Sequence, residues 1–144
     1  METVTEEIPL YIQRLQKELL WVNENTNVKA SYVKAGDKEY VLYEGIETSG
    51  LAKDLPEQTD VLTLIPDGYP SSAIDMPALP VDSKLLSHVV GSSNLQNIVT
   101  VNGRDWRFLS FHPYANGGGP QWDSKELGFH DYYNQLYVWL HKLS

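Results

Sequence analysis

Apolar residues recur at steps of three and four from Ile8 to Val22, at Ile8, Tyr11, Leu15, Leu19 and Val22. This spacing predicts an amphipathic helix with a single buried stripe. Gln13, Arg14, Gln16, Lys17 and Glu18 fall on the polar side. Thr5 is placed to cap the helix, with Pro9 in the first turn where its missing N–H costs nothing. The polar run Asn23-Glu24-Asn25-Thr26-Asn27 is expected to stop it. The period then changes to two. Val28 to Ala35 and Glu39 to Ile46 alternate around Gly36-Asp37, predicting two strands joined by a turn. After a polar loop, Glu47 to Gln58, the run Thr59 to Ile65 is apolar on both faces and reads as a central strand covered twice. Pro66-Asp67-Gly68-Tyr69-Pro70 follows as a rigid turn, because proline fixes its own φ and keeps its predecessor out of the helical region. Ile74 to Pro80 carries two more prolines and reads as an extended edge strand.

Val81 to Ser93 predicts little beyond a short helical turn around Leu85 to Val90. Ile98 to Val101 and Trp106 to Phe111 flank Asn102-Gly103, a dipeptide that supplies the positive φ a tight hairpin needs. A glycine-rich loop, Pro113 to Trp122, leads to a last helix that starts at Ser124 or Phe129 and runs to His141. Its stripe is Phe129, Tyr133, Leu136, Leu140 and Leu143. Because the strands arrive in a block between two helices, the expected class is α+β, with a mainly antiparallel meander. The 144 residues form one domain, with residues 1–7 expected to be flexible.

Composition narrows the function classes. The net charge is −8 and no lysine/arginine cluster occurs, which argues against a surface that neutralises phosphates and so against nucleic acid as partner. No apolar run approaches a membrane span, and the acidic N-terminus lacks the apolar core of a signal peptide, so a cytoplasmic address is expected. There is no cysteine. Disulfides, thiolate zinc sites and thioester chemistry by this chain are thereby excluded.

Candidate chemistry gathers late in the chain. Asn116-Gly117-Gly118-Gly119-Pro120 lacks the Gly-Lys-Ser/Thr ending of a phosphate cradle and reads as a flexible loop that shapes a site. His112 closes the hairpin strand, with Ser110 about 7 Å away on the same face if the strand persists. His130 lies early in the last helix, with Asn134, Tyr137 and His141 following down the same side. His130 and His141 are roughly 16 Å apart, too far to share a metal. Asp123, Asp131, His112 and His130 lack the spacing of a metal-binding helix, so no metal and no cofactor are expected. Trp106, Trp122 and Trp139 read as core and rim residues. No Gly-x-Ser-x-Gly elbow supports a hydrolase triad.

The order of these features resembles the ubiquitin-conjugating (UBC, E2-like) superfamily. An N-terminal helix and a strand meander precede Ile65-Pro66-x-x-Tyr69-Pro70, which leads to Pro77. Phe111-His112-Pro113-Tyr114 and a C-terminal helix follow. The chain is more narrowly similar to the bacterial UBC-like family found beside ubiquitin-like proteins and their activating enzymes. Asp75-Met76, the tryptophan-led strand from Trp106 to His112, and His130 carry that likeness. The resemblance implies a single UBC-like domain that meets a ubiquitin-like modifier and an activating enzyme or another conjugation component. Two departures alter this expectation. Tyr114 replaces the asparagine that the family places after His-Pro, and the cysteine position, counted from His112, falls near Trp122. Three accounts remain open: a non-catalytic recognition variant, a transferase forming an oxyester on Ser110 or Ser124, or a nucleophile removed by engineering. In the second, His112 or His130 would serve as the base, because a serine hydroxyl is far less acidic than a thiol. In the first, or in a purely structural adaptor, His112, Tyr114, Gly117, Gly118, Gly119, Trp122 and His130 would form a recognition surface.

Overall fold

The computed structural model describes residues 13–48, 56–88, 98–109, 111–114 and 118–142. Helix α1, Arg14–Asn25, is followed by strands β1, Lys29–Ala35, β2, Lys38–Glu47, and β3, Gln58–Leu64. Strand β4, Pro77–Pro80, a 3-10 turn at Lys84–His88, strands β5, Ile98–Val101, and β6, Arg104–Phe108, and helix α2, Phe129–His141, complete the order. The six strands form one curled antiparallel sheet in the order β1-β2-β3-β4-β6-β5. The α+β class and the order of helix, antiparallel sheet and helix are as the sequence predicts. The expected meander holds from β1 to β4 and then breaks, because β6 rather than β5 lies beside β4.

Helix α1 extends past Val22, because the asparagines expected to stop it bond to it instead. Asn25 Nδ2 donates to Trp21 O at 2.8 Å, and Asn23 Nδ2 donates to Leu19 O at 2.8 Å. Asn23 also exchanges two bonds with the backbone of Ala30 and so ties the helix to β1. Thr26 ends the helix, its N–H and hydroxyl both donating to Val22 O. Thr5, Pro9 and the first apolar positions of the expected helix lie outside the described residues.

Both helices pack on one face of the sheet. Leu15, Leu19 and Val22 of α1 meet Val41, Tyr43, Ile46 and Val61 of the sheet and Phe129, Tyr132, Leu136 and Leu140 of α2. Strand β3 is interior, with Val61, Leu62 and Thr63 all fully buried. Its second cover is not a helix. The opposite face carries a smaller cluster of Tyr40, Leu42, Leu62, Ala78, Val101 and Trp106, drawn entirely from strands. The curl of the sheet closes this second core, aided by a bulge between Tyr43 and Ile46.

Strand β4 departs from the expected edge strand, since it pairs with both β3 and β6. Its prolines stand at the two ends, Pro77 and Pro80, while Ala78 and Leu79 supply the interior N–H groups. Pro77 still contributes a carbonyl, which accepts from Leu109 N at 2.9 Å. The hairpin between β5 and β6 turns at Asn102 and Gly103, with φ of 55° and 73°. Both values are positive, as a type I′ turn requires.

The expected strand from Trp106 to Phe111 ends early, at Phe108. Leu109 N bonds to Pro77 O, and Phe111 N turns back to Leu109 O at 2.9 Å. His112 is therefore delivered by a bend beyond the sheet rather than by a strand. Helix α2 begins at the later of its two predicted starts. Asp123 folds the preceding segment into a separate turn, accepting Lys125 N on its side chain and Leu127 N on its backbone.

Candidate functional site

One buried carboxylate organises the approach to α2. Glu18 is 5% exposed, although the helical pattern places it on the polar side of α1. Its Oε1 accepts from Tyr69 OH at 2.5 Å and from Phe129 N at 3.0 Å, and its Oε2 from Arg14 Nε at 2.7 Å. Glu18 thus caps α2 from another helix, in place of a local cap residue. A Cβ on Gly128 would lie 2.4–2.6 Å from that carboxyl group, so glycine admits the cap. Arg14 continues the connection, donating to the backbone oxygens of Ser124 and Leu127. Burial and the adjacent Glu18 charge push the Tyr69 phenol well above its ordinary pKa, so it stays a neutral donor.

The Tyr69–Pro70 turn, whose peptide bond is cis, is held from a second side by Trp122. The indole Nε1 donates to Pro70 O at 2.9 Å, and its ring meets Tyr114 edge-on at 4.9 Å. Tyr114 is 1% exposed and donates to Asp131 Oδ2 at 2.8 Å. Burial, then the hydrogen bond to Asp131, raises its pKa far above the ordinary range. Tyr114 therefore supports the loop from inside, rather than lining its surface. Gly119 N closes the loop on Tyr114 O at 2.9 Å. A Cβ at Gly119 would stand 1.9 Å from Pro113 O, so the space freed by this glycine is already filled by the chain itself. Gly118 and Gly119 are exposed, and Gly118 has a φ of +87°. Gly117 lies outside the described residues, as does Ser110.

His112 meets a partner that sequence spacing does not reveal. Its Nδ1 lies 2.5 Å from Asp75 Oδ1, across 37 residues of sequence. This pairing leaves Nε2 as the nitrogen available to an incoming group. Asp75 is fixed by Tyr132, whose hydroxyl donates to the Asp75 carbonyl. The pair is partly exposed, at 35% for His112 and 46% for Asp75. Asp75 forms the polar edge of a cavity of about 240 Å³, whose other walls are Leu64, Pro66, Met76 and Phe108. Phe111, next to His112, stacks on Trp139 with ring centroids 4.7 Å apart.

The two histidines of the expected recognition surface have different neighbours. His130 contacts Trp21 of α1, with ring centroids at 6.2 Å, and its Nδ1 is a buried atom without a hydrogen-bond partner among the described residues. His130 and Trp139 are nine positions apart on α2, which places them on roughly opposite sides of the helix. The Phe111–His112 bend lies on the Trp139 side. Ser124 lies in the turn bound by Arg14, and among the described residues no hydrogen bond joins it to either histidine. His141 Nδ1 donates to Tyr137 O at the far end of α2.

Of the predicted set, His112, Tyr114, Gly118, Gly119 and Trp122 are brought into one region; Ser124 lies beside it with its carbonyl bound by Arg14, and His130 turns toward α1. Asp75, Tyr132 and Asp131 complete that region. Asp75 was visible only as part of the Asp-Met pair; nothing local marks it as the partner of His112. A larger cavity, about 660 Å³, lies at the other end of the same strands, lined by residues including Asp60, Pro80, Lys84 and Arg104. Arg104 there already pairs with Asp60 at 2.8 Å. Among the described residues, no group of three or more His, Asp or Glu side chains is placed to hold a metal, and no helix is long and apolar enough to cross a membrane. Compared with models of known families, with curated proteins and with solved structures, the chain matches none.

Proposed function

We propose that this chain is an E2-like component of a bacterial ubiquitin-like modification pathway that recognises the modifier or its activating enzyme without forming a thioester. The observation that carries this reading is the occupation of the counted cysteine position. By count from His112 that position falls near Trp122, which is tied to Pro70 O and packed on Tyr69 and Tyr114. A side chain anchored in that way has no nucleophile to offer, but it holds the Tyr69–Pro70 turn in place. The partly exposed pair and the adjoining apolar cavity are suited to contact with a protein surface. Transfer through a serine oxyester is the competing reading. Among the described residues, no histidine is bonded to Ser124 to act as its base.

The test incubates the protein with activating enzyme, modifier and ATP, and assays both a base-labile adduct and equilibrium binding. The expected result is micromolar binding, weakened at least tenfold in His112→Ala or Trp122→Ala, with no adduct. An adduct that disappears in Ser110→Ala or Ser124→Ala would replace recognition by transfer. Absence of both binding and adduct would leave a structural adaptor.

A further inference from the structure

The apolar cavity at the end of β3, part of the contact surface of the modification reading, has a form that says more about its occupant. Leu64 ends β3 and is 36% exposed beside a buried cluster. On alternating strands, Leu64 and Phe108 share the face that holds Leu62 and Trp106, so the cavity is the open mouth of the second core. Its volume of about 240 Å³ suits one large side chain rather than a cofactor or a helix face. Among the described residues its walls are aliphatic, aromatic and thioether, and its single ionisable lining residue is Asp75. Asp75 Oδ1 is engaged by His112, while Oδ2 takes no hydrogen bond from the described residues. Asp67, directly after the lining residue Pro66, is exposed. Among the described residues no lysine or arginine lines the cavity, and the whole chain carries a net charge of −8.

We infer that this cavity is an anchor pocket for a partner polypeptide that presents a phenylalanine- or leucine-sized side chain next to a lysine or arginine. The apolar side chain fills the space between Leu64, Pro66, Met76 and Phe108. The neighbouring cation meets Asp75 Oδ2, with Asp67 adding to the attraction. A buried apolar anchor beside a partly screened charge pair gives affinity through the first and orientation through the second. The inference deepens the modification reading, which uses the same pair and cavity as a contact surface, by stating which side chains the cavity takes. Its peptide test needs neither modifier nor activating enzyme, so the two can fail separately.

The experiment titrates the isotope-labelled full chain with capped peptides and follows backbone amide shifts. The probe is acetyl-Gly-Ser-Lys-Phe-Gly-Ser-amide, compared with versions in which Phe is replaced by Ala or Lys by Glu. The expected result is saturable shifts centred on Leu64, Asp75, Met76 and Phe108, with affinity reduced at least tenfold by the Ala peptide and at least threefold by the Glu peptide. Leu64→Glu should abolish binding, and thermal unfolding verifies that this variant is folded. Asp75→Asn should keep the Phe requirement and lose the preference for Lys over Glu. Equal binding of the Phe and Ala peptides would overturn the inference, as would an unchanged Lys preference in Asp75→Asn. Self-association of the chain that Leu64→Glu disperses would overturn it in favour of a second copy as occupant.

Discussion

Glu18→Ala is expected to be among the most damaging single changes in the molecule, although sequence pattern alone places Glu18 on a solvated helix face. The carboxylate accepts from Arg14, Tyr69 and the backbone of Phe129. Its removal strands the Tyr69 hydroxyl, on a side chain 4% exposed, and the buried Phe129 N–H. Each stranded donor costs about 1–3 kcal/mol. Arg14 contributes less, because it is 30% exposed and keeps the Ser124 and Leu127 carbonyls. The expected loss is about 3–5 kcal/mol, the range for removing one member of a buried ionic network. Glu18→Gln keeps an acceptor oxygen for Tyr69 and Phe129 and should lose only about 1–2 kcal/mol. Urea unfolding followed by tryptophan fluorescence measures these values, with the slope m serving to verify that the extent of unfolding is unchanged. A cycle with Tyr69→Phe isolates the coupling. The double variant should be less damaged than the sum of the singles by about 1–2 kcal/mol, because no hydroxyl is then stranded. A Glu18→Ala loss within about 0.5 kcal/mol of zero, or strict additivity in the cycle, would refute the trans-cap.

Leu15→Ala and Leu136→Ala, both fully buried, should each lose about 2–5 kcal/mol, while His141→Ala near the exposed end of α2 should change little; equal unfolding midpoints for all three would mean the helix faces are misassigned. Stability should also fall in alkali. Burial raises the pKa of Tyr43, Tyr69, Tyr114 and Tyr132, so each folded-state phenol holds its proton more tightly than in the unfolded chain. The corresponding stability is fully present below about pH 10 and is lost above it, as the unfolded chain ionises first. Absorbance at the tyrosinate band should rise together with unfolding, and early ionisation of these phenols in the folded state would contradict their burial.

The parts of this protein written in its sequence are those fixed by neighbours along the chain. The steps of three and four in Leu15, Leu19 and Val22 set the buried face of α1, and the apolar run around Val61 and Leu62 set an interior strand. Asn102-Gly103 specified its turn, because few residues tolerate positive φ at both central positions. The tertiary structure decided what those neighbours cannot encode. Pro77 and Pro80 argue locally for an edge, yet β4 is interior, because it is short enough for both prolines to stand at its ends. Glu18 has the spacing of a surface residue; the Tyr69 hydroxyl and the start of α2 draw it inside, and Gly128 makes room for it. His112 gained Asp75, rather than His130, as its partner because the chain leaves β6 at Phe108 and bends onto the Trp139 side of α2. Periodicity reports which side of an element is buried, since burial repeats with the element's own geometry. Pairing between polar groups far apart in sequence follows from how whole elements dock, and that is settled only when the sheet curls and both helices close on one of its faces.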